Sequence, residues 1–313
     1  MGFEVVHIED SGYSFKYQSF FDRISNAFHK LFLKDNYKKK LYDDYVIKRQ
    51  FEILNTCQHF DNALVIRADF FSMDLIETIR PKVSNFFSFH FDGIDRDKSI
   101  LEYANLFDDF YVFDEADLKK AFSNNWKYST NFYIDYPGAT LNNNSVGIYY
   151  DVYYVSFYHE SRIEDVVLIH KTLKGIFKSI KFIVFCRLED LEKLPSYVKE
   201  EMEITQSTIS YDEQLTIVAN SAVIIDLVLS EHSGWSFRLM ESIQFEKKVI
   251  TTNDAVINAD FYNPNNIFVL TKENHGEIAA FLKIPYQKLP ESIVRKYGFT
   301  EWLESKITNG ENE

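Results

Sequence analysis

The amino-acid sequence predicts a two-domain α/β protein built on parallel sheets, and three observations carry that expectation. Strand-length apolar runs alternate with helical stretches along most of the chain, the pattern of successive βα units. One run, Ala222 to Leu229, is apolar throughout except for Asp226, as a strand covered on both faces requires. The stretch Tyr136 to Gly147 (YPGATLNNNSVG) breaks any period with Pro, Gly and three Asn in succession, and so reads as a linker. A length of 313 residues also exceeds what one core usually holds.

Taken in order, the first half opens with a strand expected at Phe3 to Ile8 and an aromatic-rich helix at Tyr17 to Phe32. A second helix is expected over Asp35 to Leu54, where Lys38, Lys39 and Lys40 are followed by interleaved Tyr42, Tyr45, Ile47 and Phe51. Such a basic and aromatic cluster suits an anionic glycan or lipid headgroup. With Asp43 and Asp44 following at once, it suits a solvated helix face better. Strands then fall at Ala63 to Arg67, Val83 to His90 and Phe110 to Phe113. Helices are expected at Met73 to Arg80 (ended by Pro81), Ile100 to Leu106 and Glu115 to Phe122, the last capped by Asp114. Asp92 lies just past a strand's carboxyl end, where open α/β sheets place their ligands. With His90 two residues earlier on the same side, Asp92 is a candidate general base for an acceptor hydroxyl. The alternative is that Asp92-Gly93 only makes a turn.

The second half repeats the pattern. A strand at Val152 to Phe157 is followed by a loop, a helix from Arg162 to Lys178 and a strand at Lys181 to Cys186. A short strand, Glu203 to Thr208, leads through Tyr211 into a helix over Asp212 to Asn220. The apolar run ending at Leu229 then meets a small polar loop, Ser230 to Gly234, with Ser236 as N-cap of the next helix. On that helix Leu239, Met240 and Ile243 share one side, and Arg238, Glu241 and Ser242 the other. Unpaired N–H groups and the helix dipole at such an N-terminus bind a phosphate or diphosphate. Gly234 would let the backbone approach the ligand, Arg238 would add donors, and Glu241 would accept from ribose hydroxyls. The competing reading is a surface helix with an i,i+3 Arg–Glu pair. A turn at Asn263 to Asn266, a strand at Ile267 to Leu270 and helices at Asn274 to Lys283 and Glu291 to about Lys306 complete the chain, with Pro285 and Pro290 between the last two.

The segment SGWSFRLMESIQFEKKVITTN, continuing to DFYNPNNIFVL, resembles the donor-domain segment of bacterial GT-B glycosyltransferases that build lipopolysaccharide and capsular polysaccharide. The pattern FHFDGID…NLFDDFYVFDEADL resembles the acceptor-domain half of the same enzymes. The resemblance implies two Rossmann-like domains facing across a cleft. The acceptor domain would span 1–145, with its first βα unit missing or rearranged. The donor domain would span 146–285, and a helix with a disordered tail, 286–313, would return toward the first domain. It implies that Gly234 and Glu241 hold the nucleotide diphosphate and the ribose, that Arg162 faces the phosphates, and that Tyr211 lies at the base. Ser233 and Ser236 complete the donor loop. Many retaining members carry Glu where this chain has Ser233, so the stereochemical class stays open. The implied activity is transfer of a sugar from a nucleotide-sugar donor, a substrate and not a cofactor, to a growing cell-surface glycan such as lipopolysaccharide, O-antigen or capsule. The partners are then that donor and a glycan or lipid-linked glycan acceptor. A catalytically silent GT-B-like subunit and a nucleotide-sugar epimerase are the alternatives.

Composition bounds these readings. With 46% hydrophobic and 17% aromatic residues the chain can bury sizeable cores. A net charge of −13 argues against general binding to nucleic acid, which wants a basic footprint, and against bulk adhesion to anionic membranes. No apolar run approaches the ~20 residues of a membrane span, and no signal-peptide layout opens the chain. The expected location is the cytoplasm, with peripheral contact at the inner membrane allowed. Cys57 and Cys186 are expected as buried free thiols. No metal is expected. Asp92, Asp95 and Asp97 sit about 140 residues from the donor motif, whereas a metal-binding Asp-x-Asp would end a strand of the nucleotide domain itself.

Overall fold

The computed structural model describes residues 2–17, 19–29, 37–135, 150–229 and 232–307. The expected linker at 136–147, the loop residues Ser230 and Glu231, and the tail after Ile307 lie outside the described residues. By their contacts the residues form two compact units. One comprises 1–111 and 121–127, the other 112–120 and 128–313. By this division the chain passes between the units at 111/112, 120/121 and 127/128, and 286–307 fall in the second unit.

In the first unit, α1 (Phe20–Phe28) starts with a capping box: Ser19 Oγ accepts from Asp22 N at 3.1 Å and the Asp22 carboxylate accepts from Ser19 N at 3.0 Å. Helix α2 (Tyr37–Asn55) buries Val46, Gln50 and Leu54, which share one face at a spacing of four. There follow β1 (Phe60–Ile66), α3 (Met73–Ile79), β2 (Val83–His90), β3 (Asp109–Val112) and β4 (Trp126–Tyr128). The sheet order is β1-β2-β3-β4, with β1 and β2 parallel and Ile66 opposite Phe89. Phe86, Phe89 and Phe110 are its fully buried centre. The strand expected at Phe3 to Ile8 does not form: residues 2–9 have no ladder, and Val5 is 77% exposed. An alternating pattern specifies a strand only where an edge is offered to it. The helices expected at 100–106 and 115–122 are short 3₁₀ turns, Lys98–Glu102, Ala104–Leu106 and, in the second unit, Glu115–Lys120.

The second unit runs β5 (Tyr150–Phe157), α4 (Ile163–Lys174), β6 (Ile180–Phe185), α5 (Ser196–Glu201), β7 (Glu203–Thr205), α6 (Tyr211–Ala219) and β8 (Ser221–Asp226). It continues through α7 (Phe237–Gln244), β9 (Lys248–Thr251), β10 (Ile267–Val269), α8 (Ile278–Lys283), α9 (Glu291–Lys296) and α10 (Phe299–Ile307). The strand order is β7-β6-β5-β8-β9-β10, every pair parallel. This is the doubly wound order: the chain leaves β5 in one direction, returns to its other side at β8, and leaves again. Residues on opposite faces of each strand enter different cores. Tyr154, Val223 and Ile225 pack with Val166, Ile169 and Leu173, while Tyr153 and Ile224 pack with Leu239, Met240 and Ile243. Burial on both faces is why β8 reads as a continuous apolar run.

One expected terminal helix is two, because the chain turns at Tyr297 and Gly298. A Cβ on Gly298 would lie 2.5 Å from Asp135 Oδ2, so a larger residue there would push the Asp135 carboxylate aside. Asp135 in turn accepts from Thr300 N at 3.1 Å and from Thr300 Oγ1 at 3.0 Å, which caps α10 from outside the helix. Cys186 is buried and Cys57 half-buried, both free. No helix among the described residues is long and apolar enough to cross a membrane.

Candidate functional site

Open α/β sheets bind ligands outside the carboxyl ends of their strands where the winding direction reverses. In the second unit that point lies between β5 and β8. Arg162, directly before α4, bridges it: Nη1 donates to Leu227 O at 2.9 Å, just past β8, and Nη2 to Phe157 O at 2.8 Å, the last residue of β5. The sequence placed Arg162 beside a phosphate; the structure places its guanidinium across the ends of the two central strands.

The start of α7 follows from the end of β8. Asp226 is buried, its Oδ1 accepts from Ser236 Oγ at 2.7 Å, and its Oδ2 from Thr251 Oγ1 at 3.2 Å. Burial pushes this carboxyl upward, against the pull of its two hydroxyl donors and of Arg238 and Arg162. Ser236 Oγ also accepts from Leu239 N at 3.1 Å, so Ser236 is the N-cap that the sequence predicts.

Ser233 and Gly234, just before it, are held by hydrogen bonds. Ser233 N donates to Asp114 Oδ2 at 2.6 Å and Ser233 Oγ to Asp114 Oδ1 at 2.9 Å. Asn253 Nδ2 donates to Ser233 O at 3.0 Å and to Gly234 O at 3.2 Å. Asp114 and Asn253 escaped the sequence reading as site residues. Asp114 was legible only as a helix cap, and it does also accept from Ala116 N at 2.9 Å. Gly234 is packed against Phe113. The space over its Cα is filled from within the protein, because an added Cβ would overlap the Phe113 ring and lie 2.8 Å from the Phe113 carbonyl oxygen. Glycine is demanded here by Phe113.

Arg238 and Glu241 are paired, as an i,i+3 spacing allows, but the pair is not on the surface. The Glu241 side chain is 0% exposed and Arg238 22% exposed. Gln214 comes close to the Glu241 carboxylate without closing a well-formed hydrogen bond, and its other end accepts from Tyr153 OH at 2.6 Å. Burial raises Glu241 above the usual carboxylate range, and Arg238 opposes that rise. The polar side of α7 therefore faces the neighbouring helix α6 and β5, where helix packing closed it over. Tyr211, at the start of α6, has its hydroxyl oxygen hydrogen-bonded to the backbone of Ile134, which donates, and keeps 40% of its surface exposed.

In the first unit, the carboxyl ends of β1 and β2 carry a charged cluster. Arg67, held in the left-handed region at φ 56°, donates from Nε and Nη2 to Asp69 at 2.9 and 2.6 Å, and from Nη1 to Asp92 at 3.1 Å. Arg96 Nη1 donates to both Asp92 oxygens, at 3.1 and 2.9 Å. Two guanidinium groups thus engage the lone pairs of Asp92, the candidate base. His90 also differs from expectation. It is fully buried, neither ring nitrogen has a hydrogen-bond partner, and burial with Arg67 nearby pushes it down to about 4. Its 3.7 Å approach to Asp69 is too long for a hydrogen bond. Asp97 caps its own turn by accepting from Ser99 N at 3.0 Å. No group of three or more His, Cys, Asp or Glu among the described residues is placed to hold a metal ion.

The fold is α/β with parallel sheets and matches that of solved GT-B glycosyltransferases. Two solved structures of that type illustrate it. TarM matches with a TM-score of 0.50 at 13% identity, over 80% of this chain and 55% of its own. OtsA, in its apo form, matches with a TM-score of 0.50 at 12% identity, over 94% of this chain and 83% of its own. The chain spans about half the length of TarM. No protein-family model matches the chain, and no curated protein matches it in sequence. At such identities the likeness is one of fold.

Proposed function

We propose that the chain is a glycosyltransferase that takes a sugar from a nucleotide-sugar donor and adds it to a growing bacterial cell-surface glycan, the lipopolysaccharide, O-antigen or capsule type. The observation that supports this most is Arg162 bridging the carboxyl ends of β5 and β8, with the capped start of α7 following the second of those strands. A diphosphate there would meet a fixed guanidinium and the positive end of a helix. These are the groups that stabilise a leaving diphosphate without a divalent ion. In this reading Arg162 faces the phosphates, the Ser233–Ser236 loop and Arg238 frame them, Glu241 reaches the ribose once its pair with Arg238 opens, and Tyr211 lies by the base. Location at the cytoplasmic side of the membrane belongs to the same proposal.

The test is incubation with a panel of radiolabelled nucleotide sugars, with and without EDTA, reading hydrolysis and transfer. Turnover that survives chelation supports the proposal. Turnover abolished by EDTA and restored by magnesium or manganese removes its metal-independent form. A second reading, a catalytically silent subunit of the same fold, is favoured by Phe113 filling the space over Gly234 and by the buried Arg238–Glu241 pair. Nucleotide binding without turnover of any donor would select it.

A further inference from the structure

A cavity of about 830 Å³ lies wholly within the second unit, between residues 128–130, Trp235 and the helices α9 and α10. That volume falls within the range of small-molecule sites. Its walls are aromatic and fixed. The Trp302 indole N–H donates to Ser129 Oγ at 2.7 Å and to Thr130 O at 2.9 Å. The Trp235 carbonyl accepts from Asn131 Nδ2 at 2.9 Å, and its ring stands edge-on to Phe261. Tyr128 completes the wall; burial, with Glu115 and Asp114 nearby, pushes its phenol up to about 12, so it remains a hydrogen-bond donor at neutral pH.

The rim carries both signs of charge. Arg295 pairs with Glu301 at 2.6 Å, the two side chains 66% and 40% exposed. An exposed pair of this kind contributes little to stability and re-forms readily around a ligand. A lipid or apolar peptide would leave this rim without partners. The wall also holds Arg295, Lys296 and Lys306 beside Glu291 and Glu301, but Arg295 is already engaged by Glu301 and Lys296 by Asp260, so a strongly anionic ligand would have to displace carboxylates from them. A sugar ring satisfies both conditions, laying its C–H face on an indole or phenol and its hydroxyls on a carboxylate and a guanidinium.

We propose that this cavity is a binding site for a neutral oligosaccharide, the segment of acceptor glycan next to the point of transfer. The acceptor role rests on the transferase reading above; saccharide binding itself does not. What ties the two is Trp235, which lines the cavity and sits in the chain between Gly234 and Ser236 of the donor loop.

The experiment applies the full chain to an array of neutral tri- to hexasaccharides, then titrates the best binder by calorimetry against wild type, Ser292→Trp and Arg295→Ala. Nucleoside diphosphate affinity is measured on the same samples. Ser292 is exposed and lines the cavity, so tryptophan there fills it. The expected result is loss of saccharide binding in Ser292→Trp and about ten-fold weakening or more in Arg295→Ala, with nucleotide affinity unchanged. An array with no neutral saccharide captured, or unchanged saccharide affinity in Ser292→Trp, would overturn the site. So would parallel loss of saccharide and nucleotide in the variants. Saccharide binding in a chain that binds no nucleotide would strike the donor reading and leave this one standing.

Discussion

Arg238 donates to Glu241 across one turn of α7, and the carboxylate that receives it is wholly buried. Removing one partner of such a pair leaves an uncompensated buried charge. Arg238→Ala is therefore expected to cost about 3 kcal/mol of folding stability, the low end for a buried pair because Arg238 keeps some exposure. Urea denaturation checks it, and the double variant Arg238→Met, Glu241→Gln is expected to recover most of the loss. If Arg238→Ala unfolds like wild type while losing nucleoside diphosphate affinity, the pair is a ligand contact and not a structural one.

Gly234 is pinned by Phe113, so Gly234→Ala forces an overlap with a buried ring and its carbonyl oxygen. The expected cost is about 1–3 kcal/mol, as for other overpacked sites. Thermal unfolding of the single variant and of Gly234→Ala with Phe113→Ala reads the coupling. Equal losses in both backgrounds would mean that the Phe113 ring is not the obstacle and would leave its carbonyl oxygen in that role.

Asp92 ties two arginines together at the strand ends of the first unit. Asp92→Asn keeps the shape and removes the anion. The expected result is about 1.5–3 kcal/mol lower stability, with turnover per folded molecule held within about ten-fold. A loss of ~10²–10⁴-fold in transfer at unchanged stability would instead return Asp92 to the role of general base.

His90 gives the fold an acid sensitivity whose sign is fixed. Its folded value is pushed down to about 4 from 6.5, so the unfolded chain binds the extra proton between those limits. Stability is then full above pH 6.5 and falls as the pH drops toward 4, by at most about 1.4 kcal/mol per pH unit. The groups facing the ring are Arg67, Asp69, Asp92 and Asp97. His90→Phe keeps the ring stacked near Phe110 and sacrifices no hydrogen bond. Its stability between about pH 4 and 6.5 is expected to run flatter than wild type. An identical slope would place the acid sensitivity elsewhere.

Much of the architecture is legible in residue order. β2 falls at Val83 to His90 as the pattern reads it, and Ser236 caps α7 as its position before the apolar stripe implies. These features are local, set by side-chain period and by one hydroxyl reaching one N–H. The short 3₁₀ turns after β2 and β3 were misread as helices, since a few helical residues without an apolar stripe carry no period to separate the two. The three-residue β4 is too short to show any period at all.

By itself the sequence determined which residues can be strand, helix or cap, and that the second half winds as βα units, because those depend on neighbours within a few positions. Only the tertiary structure decided what each candidate site residue faces. Phe113 lies over Gly234, Asp114 holds Ser233 from 119 positions away, and Gln214 with Tyr153 encloses Glu241. Arg162 finds carbonyls at the ends of two strands that are adjacent in the sheet and far apart in the chain. The physical reason is that burial, desolvation and pairing are set by groups brought together across long loops, and no local spacing records which groups those are.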